Sequence, residues 1–154
     1  MKKVILSVAV LVALAISICW VISHKEKIAY KPNRIEVVSS WSDGTVKQER
    51  VHHGEDTVEI ITYFDNFKVK TKGKVKIVGE KEMRFGTWYS YYRNGTHWSQ
   101  SEYLNGVSNG VYQTWHPNGK PNIIGFYSNG VETGKWQFFD TTGAVIKQYD
   151  VTPG

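Results

Sequence analysis

Three stretches of this chain superimpose without gaps at a shift of 24 residues. They are GTWYSYYRNGTHWSQSEYLNGVSN (86–109), GVYQTWHPNGKPNIIGFYSNGVET (110–133) and GKWQFFDTTGAVIKQYD (134–150). The shift brings Gly86, Gly110 and Gly134 together, and likewise Trp88, Tyr112 and Trp136. Tyr91, Trp115 and Phe139 form a third column and Gly95, Gly119 and Gly143 a fourth, while Tyr103 to Gly106 falls on Tyr127 to Gly130. Such a period marks a repeat array, in which each unit is a supersecondary element stabilised by packing on its neighbours.

Each unit runs glycine, aromatic strand, Asn-Gly turn, second strand, then an aromatic-x-Asn-Gly-Val turn. Asn-Gly between β-rich segments signals a type I′ hairpin turn, whose two central residues both need positive φ, which Gly and Asn adopt at least cost. The units therefore read as successive hairpins of an antiparallel meander, with Gly86, Gly110 and Gly134 opening each one. Trp88 and Tyr91 lie three apart, as do Tyr112 and Trp115, whereas one face of a strand repeats every two residues. Such pairs either point to opposite faces or flank a bulge. Core packing accounts for the recurring aromatics. Tyr89, Tyr92 and Trp98 have no counterpart in the other units and are the candidates for an exposed binding surface.

The front half reads as an eroded version of the same array. WSDG at Trp41 to Gly44 resembles the aromatic-x-Asn-Gly turn, and FDNF at Phe64 to Phe67 repeats it 23 residues on, with two strands joined near Gly54 between them. The fold class expected is all-β: an antiparallel meander of stacked β-hairpin repeats with about eight to ten short strands over residues 34–150, preceded by one N-terminal hydrophobic helix. The organisation expected is an N-terminal anchor or signal segment over 1–24, a linker over 25–33, a degenerate β-repeat region over 34–84 and three repeats over 85–150.

Lys2 and Lys3 precede an apolar run from Val4 to Ile22, nineteen residues broken only by Ser7 and Ser17. A membrane-spanning helix needs roughly 20 residues, and a signal-peptide apolar region about 7–15 followed by a small-x-small cleavage site. Ala13-Leu14-Ala15 lies inside the run, and the residues before Cys19 lack the small side chain that a lipidated cysteine needs. An uncleaved single-pass membrane anchor is expected ahead of a cleaved signal or a lipoprotein. The remainder is then extracytoplasmic, and secreted or periplasmic if the segment is removed. Cys19 is the single cysteine, so the exported part must rely on packing rather than disulfides.

Thirteen Lys and Arg stand against ten Asp and Glu between residues 25 and 84, but four against four from 85 to 154. The neutral repeat region lacks the basic stripe of a nucleic-acid-binding surface, so no nucleic-acid partner is expected.

The pattern G-x-aromatic-x-x-aromatic-x-x-Asn-Gly, followed by aromatic-x-Asn-Gly-x-x-x-Gly, is carried by Gly86 to Gly95, Tyr103 to Gly119 and Tyr127 to Gly143. It resembles the MORN repeat variants of many bacterial proteins, the antitoxin-labelled group above all, covering residues 85–145 well and 35–84 poorly. The resemblance implies a curved single-layer sheet of stacked hairpins that serves as a scaffold or protein-binding surface. It also implies links to membrane lipids and, through the antitoxin label, a partner protein.

A second signal is FKVKTKGKVKIV, in which Lys68, Lys70, Lys72, Lys74 and Lys76 alternate with other residues. On one extended strand a period of two puts them all on one face. A turn at Lys72-Gly73 would instead give two short strands sharing a side. Such a face suits an acidic partner or anionic headgroups, where each Lys contributes about 1 kcal/mol near an anionic leaflet. A solvated face, or lysines that guard an edge strand, is the plainer explanation.

Adjacent His52 and His53 point oppositely on a strand, His97 and His116 are not repeat-equivalent, and no H-x-x-x-H, H-E-x-x-H or cysteine pair occurs. No metal or cofactor is therefore expected. The sequence holds neither G-x-S-x-G nor a cysteine outside the apolar run, and its glycines read as turn residues rather than as a phosphate loop, so no enzyme is expected. The function expected is a non-enzymatic, membrane-tethered repeat module for protein–protein interaction or scaffolding, with an unidentified protein partner. The alternative is recognition of an envelope glycan or anionic lipid headgroup by exposed aromatics and the lysine face.

Overall fold

A computed structural model describes residues 33–152, and every regular element in that span is a β-strand. The strands are β1 (Arg34–Ser40), β2 (Val46–His52), β3 (Thr57–Tyr63), β4 (Val69–Val78) and β5 (Lys81–Tyr91), then β6 (His97–Leu104), β7 (Val107–Trp115), β8 (Pro121–Ser128), β9 (Val131–Phe139) and β10 (Val145–Val151). They form one sheet in chain order, each antiparallel to the next. The expected meander is thus the fold. The N-terminal helix, anchor or signal expected over 1–24 lies outside the described residues. Among the described residues no helix is long and apolar enough to cross a membrane.

Successive turns alternate between the two ends of the sheet. At one end stand Trp41–Thr45, Phe64–Lys68, Tyr92–Thr96, His116–Lys120 and Asp140–Ala144. In each, the first residue's N–H donates to the fifth residue's carbonyl and the fourth residue's N–H donates back to the first carbonyl. Only the fourth residue has positive φ: Gly44, Phe67, Gly95, Gly119 and Gly143. This is a type I turn closed by a left-handed residue, not the type I′ turn expected at Asn94-Gly95 and Asn118-Gly119. The Asn side chains explain the difference. Asn94 Oδ1 accepts the Thr96 N–H at 3.0 Å and Asn118 Oδ1 the Lys120 N–H at 3.1 Å, an Asx turn that satisfies the backbone without positive φ at Asn.

Type I′ geometry appears at the other end, where Asn105 and Gly106 have φ of 51° and 84°, and Asn129 and Gly130 48° and 83°. WSDG and FDNF therefore match the Tyr92–Gly95 turn rather than the Tyr103–Gly106 turn with which the sequence aligned them.

Gly86, Gly110 and Gly134 do not open hairpins. They sit inside β5, β7 and β9 with φ of 63°, 119° and 63°, at bulges where three residues face one on the preceding strand. Gly73 faces 86–88, Glu102 faces 109–111 and Gly125 faces 134–136. A bulge re-aims the side chains beside it. Here it lays Trp88 over Gly73 and Trp136 over Gly125, so closely that a Cβ on either glycine would fall within the indole. In the middle unit Ser101 and Tyr112 stand opposite each other in place of the glycine–tryptophan pair, and the Glu102 carboxylate accepts the Val111 N–H at 3.0 Å.

The register assigns the two faces. Val58, Val75, Trp88, Tyr103, Tyr112, Tyr127, Trp136 and Tyr149 share one. No register shift separates Trp88 from Ser90, so Trp88 and Tyr91 point to opposite faces. The same holds for Tyr112 and Trp115, and this decides between the two arrangements the spacing allowed. The first face packs against itself. The Trp136 ring lies 5.8 Å from Tyr112, 5.2 Å from Tyr127 and 6.3 Å from Tyr149, and Trp136 is 3% exposed. Fully burying one large apolar side chain contributes about 1.5–3 kcal/mol. Arg50 on β2 pairs with Glu82 on β5 on this same face, across three inter-strand spacings or about 14 Å on a flat sheet. This face also holds the buried Val58, Val75, Thr114 and Trp136 and is called the inner face, the opposite one the outer face.

Candidate binding face of the sheet

The outer face collects the sequence-predicted site residues and sorts them. β4 runs unbroken through Lys72-Gly73, with Ile61 opposite Lys72 and Ile60 opposite Gly73, so the alternative turn there does not occur. Lys70, Lys72, Lys74 and Lys76 alternate along β4 on the outer face. Lys68 stands apart in the Phe64–Lys68 turn and donates to the Asn94 carbonyl. Among the described residues Lys76 has Asp56 at 3.6 Å, while Lys70, Lys72 and Lys74 have no carboxylate within ion-pair distance. Two of them lie near aromatic rings: Lys70 is 5.9 Å from Phe64, and Lys72 5.7 Å from Tyr89 and 6.0 Å from Tyr91. Cation–π contact holds an ammonium without removing its charge.

From Tyr89 and Tyr91 the aromatic row continues. His97 lies 6.0 and 4.8 Å from those two rings, and Trp115 5.4 Å beyond it. Thr96, His97, Gln100, Trp115 and Gly119 enclose a cleft of about 360 Å³. The turns bounding it are tied down. The Tyr92 hydroxyl donates to the Trp115 carbonyl at 2.8 Å, His116 Nε2 to the Phe139 carbonyl at 2.9 Å, and Asn118 Nδ2 to the Thr141 carbonyl at 2.7 Å.

The three candidate aromatics thus have different settings. Tyr89 is a half-buried member of the row. Tyr92 is half-buried with its hydroxyl committed to the backbone. Trp98 is 50% exposed, at the register shift between Ser90 and Tyr91 where β6 carries an extra residue.

Sequence reasoning missed His97 and Trp115 as neighbours, because they occupy different units and His97 lacks a repeat equivalent. That lack was itself the available signal. It missed Phe67 as well, a positive-φ residue that is 69% exposed. Toward β2 the face turns acidic: Glu59 lies opposite Lys74, and Glu49 accepts the Tyr63 hydroxyl at 2.6 Å. Burial first, and that carboxylate second, push the Tyr63 phenol up to about 12.

No curated protein and no solved structure matches the chain. Residues 86–105 and 108–129, from the β5 bulge through the Asn129 turn, match the family described as MORN repeat variant.

Proposed function

We propose that the chain is a non-enzymatic repeat module that binds a partner protein through the outer face of its sheet. In this account the Val4–Ile22 run anchors it in a membrane with the sheet outside the cytoplasm. The match to MORN repeat variants suggests a repeat module for protein or membrane interaction. The observation that carries the proposal is the contrast between the faces. Inner-face rings pack against one another around the buried Trp136, whereas on the outer face Lys72 stands beside Tyr89 and Tyr91, with Lys70 and Lys74 on the same strand, and the row of rings runs on to His97 and Trp115, which line a cleft. Aromatic anchors in a partly desolvated setting are what protein interfaces concentrate. No catalytic residue, metal or cofactor enters this role. In its finer, antitoxin-like form the partner is a protein whose activity the module restrains.

The test is to purify tagged full-length protein from its own detergent-solubilised membranes and identify what accompanies it by mass spectrometry. One partner in near-stoichiometric amount is expected, lost when Lys70, Lys72 and Lys74 are changed to Glu. Background alone contradicts the proposal.

A further inference from the structure

Building on that protein-partner assignment, we infer that the partner contacts this face with an extended acidic segment followed by a large apolar side chain. The carboxylates lie over Lys70 and Lys72, and the apolar side chain enters the His97–Trp115 cleft.

Three features point to this occupant. Lys72, the Tyr89 and Tyr91 rings, His97 and Trp115 form an unbroken row across β4, β5, β6 and β7, each step 6.0 Å or less. Three inter-strand spacings, about 14 Å, match roughly four residues of extended chain. One partner segment can therefore touch both ends of the row.

Charge sets the direction. Glu59 opposes Lys74 across the β3–β4 register and Asp56 pairs with Lys76, so the cations best placed for an incoming carboxylate are Lys70 and Lys72. The aromatic end is marked by a cleft rather than by ionic groups.

Ring orientation separates a peptide from a sugar. A pyranose stacks on a flat ring face, but these rings are inclined by 75°, 47° and 56° to one another. They leave notches that admit a side chain rather than one continuous platform. The Tyr92–Trp115 hydrogen bond fixes the cleft wall, and such preorganisation lowers the entropic cost of binding.

The experiment is fluorescence anisotropy of labelled synthetic peptides against the full-length protein in detergent. The probe carries four alternating Asp and Glu residues followed by Pro, Leu and Trp, and its counterpart replaces every acid with Lys. The acidic peptide should bind and the basic one should not. Lys72→Glu and His97→Ala should each weaken binding roughly tenfold, and added salt should weaken it further. Lys147→Glu, on the inner face, should leave it unchanged, and unaltered melting temperatures would show that the variants still fold.

Acidic-peptide binding that survives both outer-face substitutions overturns the inference. So does binding of polygalacturonate or anionic phospholipid vesicles in place of the peptide. If no peptide binds while the native partner is still captured, the inferred segment chemistry is wrong and the protein-partner role stands. If capture also returns only background, the role itself falls.

Discussion

The indole of Trp136 lies over Gly125 on the neighbouring strand, occupying the space a Cβ would fill, and Trp88 stands in the same relation to Gly73. Glycine within a strand ordinarily weakens it, and replacement by Ala then stabilises. Here the sign reverses. Gly125→Ala should lower stability by about 1–3 kcal/mol through overpacking, read from thermal or urea denaturation. Adding Trp136→Tyr should restore part of the loss, since Tyr112 fills the equivalent place opposite Ser101, which carries a Cβ, and the two changes should be non-additive.

Phe67 occupies the left-handed position that Gly44, Gly95, Gly119 and Gly143 hold in the sister turns. A non-glycine residue there costs roughly 1–2 kcal/mol, offset in part by the flexibility glycine gives the unfolded chain. Phe67→Gly should therefore raise the melting temperature, with a gain of about 0.5–1 kcal/mol, while Gly95→Ala should lower it. A drop on Phe67→Gly would mean that the exposed ring contributes packing that outweighs its strain.

The turns at one end of the sheet form a ladder of their own. Asn66 donates to the Arg93 carbonyl at 3.0 Å and Asn118 to the Thr141 carbonyl at 2.7 Å. Asn118→Ala removes that bond and the Asx turn together and should cost about 1–2 kcal/mol. In the last turn Thr142 and Ala144 stand where Asn118 and Lys120 stand one unit earlier, so the side chains that donate to the next turn stop there. Thr142→Ala, with no following turn to tie among the described residues, should cost less than Asn118→Ala in the same melting experiment.

Spacing alone made the meander legible, because each Asn-Gly turn requires a strand reversal and the period of 24 repeats it. Which kind of turn forms was not legible from Asn-Gly alone. The choice rests on whether the Asn side chain caps the residue two ahead, as Asn94 does. The unit glycines were read as hairpin openings because positive φ serves turns and bulges equally, and only the register of β4 with β5 distinguishes them at Gly86. The lysine face followed from period-two alternation on β4. The His97–Trp115 cleft did not, since it depends on a pairing between β6 and β7 that no local pattern encodes.

Tyr63 supplies a pH test. Its phenol is raised from 10.0 to about 12, so the neutral form is favoured in the folded state. The associated stability is fully present below pH 10.0 and lost as the pH rises through about 12. Tyr112, Tyr127 and Tyr149 are raised in the same direction, chiefly by burial. Melting temperatures should fall steeply across that window, and Tyr63→Phe should flatten the fall while lowering stability at neutral pH through loss of the bond to Glu49. Asp43 and Asp140 act at the other extreme. Their carboxyls are held below the usual value of 3.8 mainly by the hydroxyls of Thr45 and Thr142. Their contribution is present above that pH and lost as the pH falls through the lowered values, so Asp140→Asn should reduce the sensitivity to acid.

Whether a partner covers the outer face is read most directly by lysine footprinting of the captured complex against the free protein. Brief acetylation followed by peptide mass spectrometry would give the labelling rate of each lysine. Slowed labelling of Lys70, Lys72 and Lys74 in the complex, with Lys147 on the inner face unchanged, is the predicted result. Equal rates on β4 with and without partner, or protection confined to Lys147, would contradict the account.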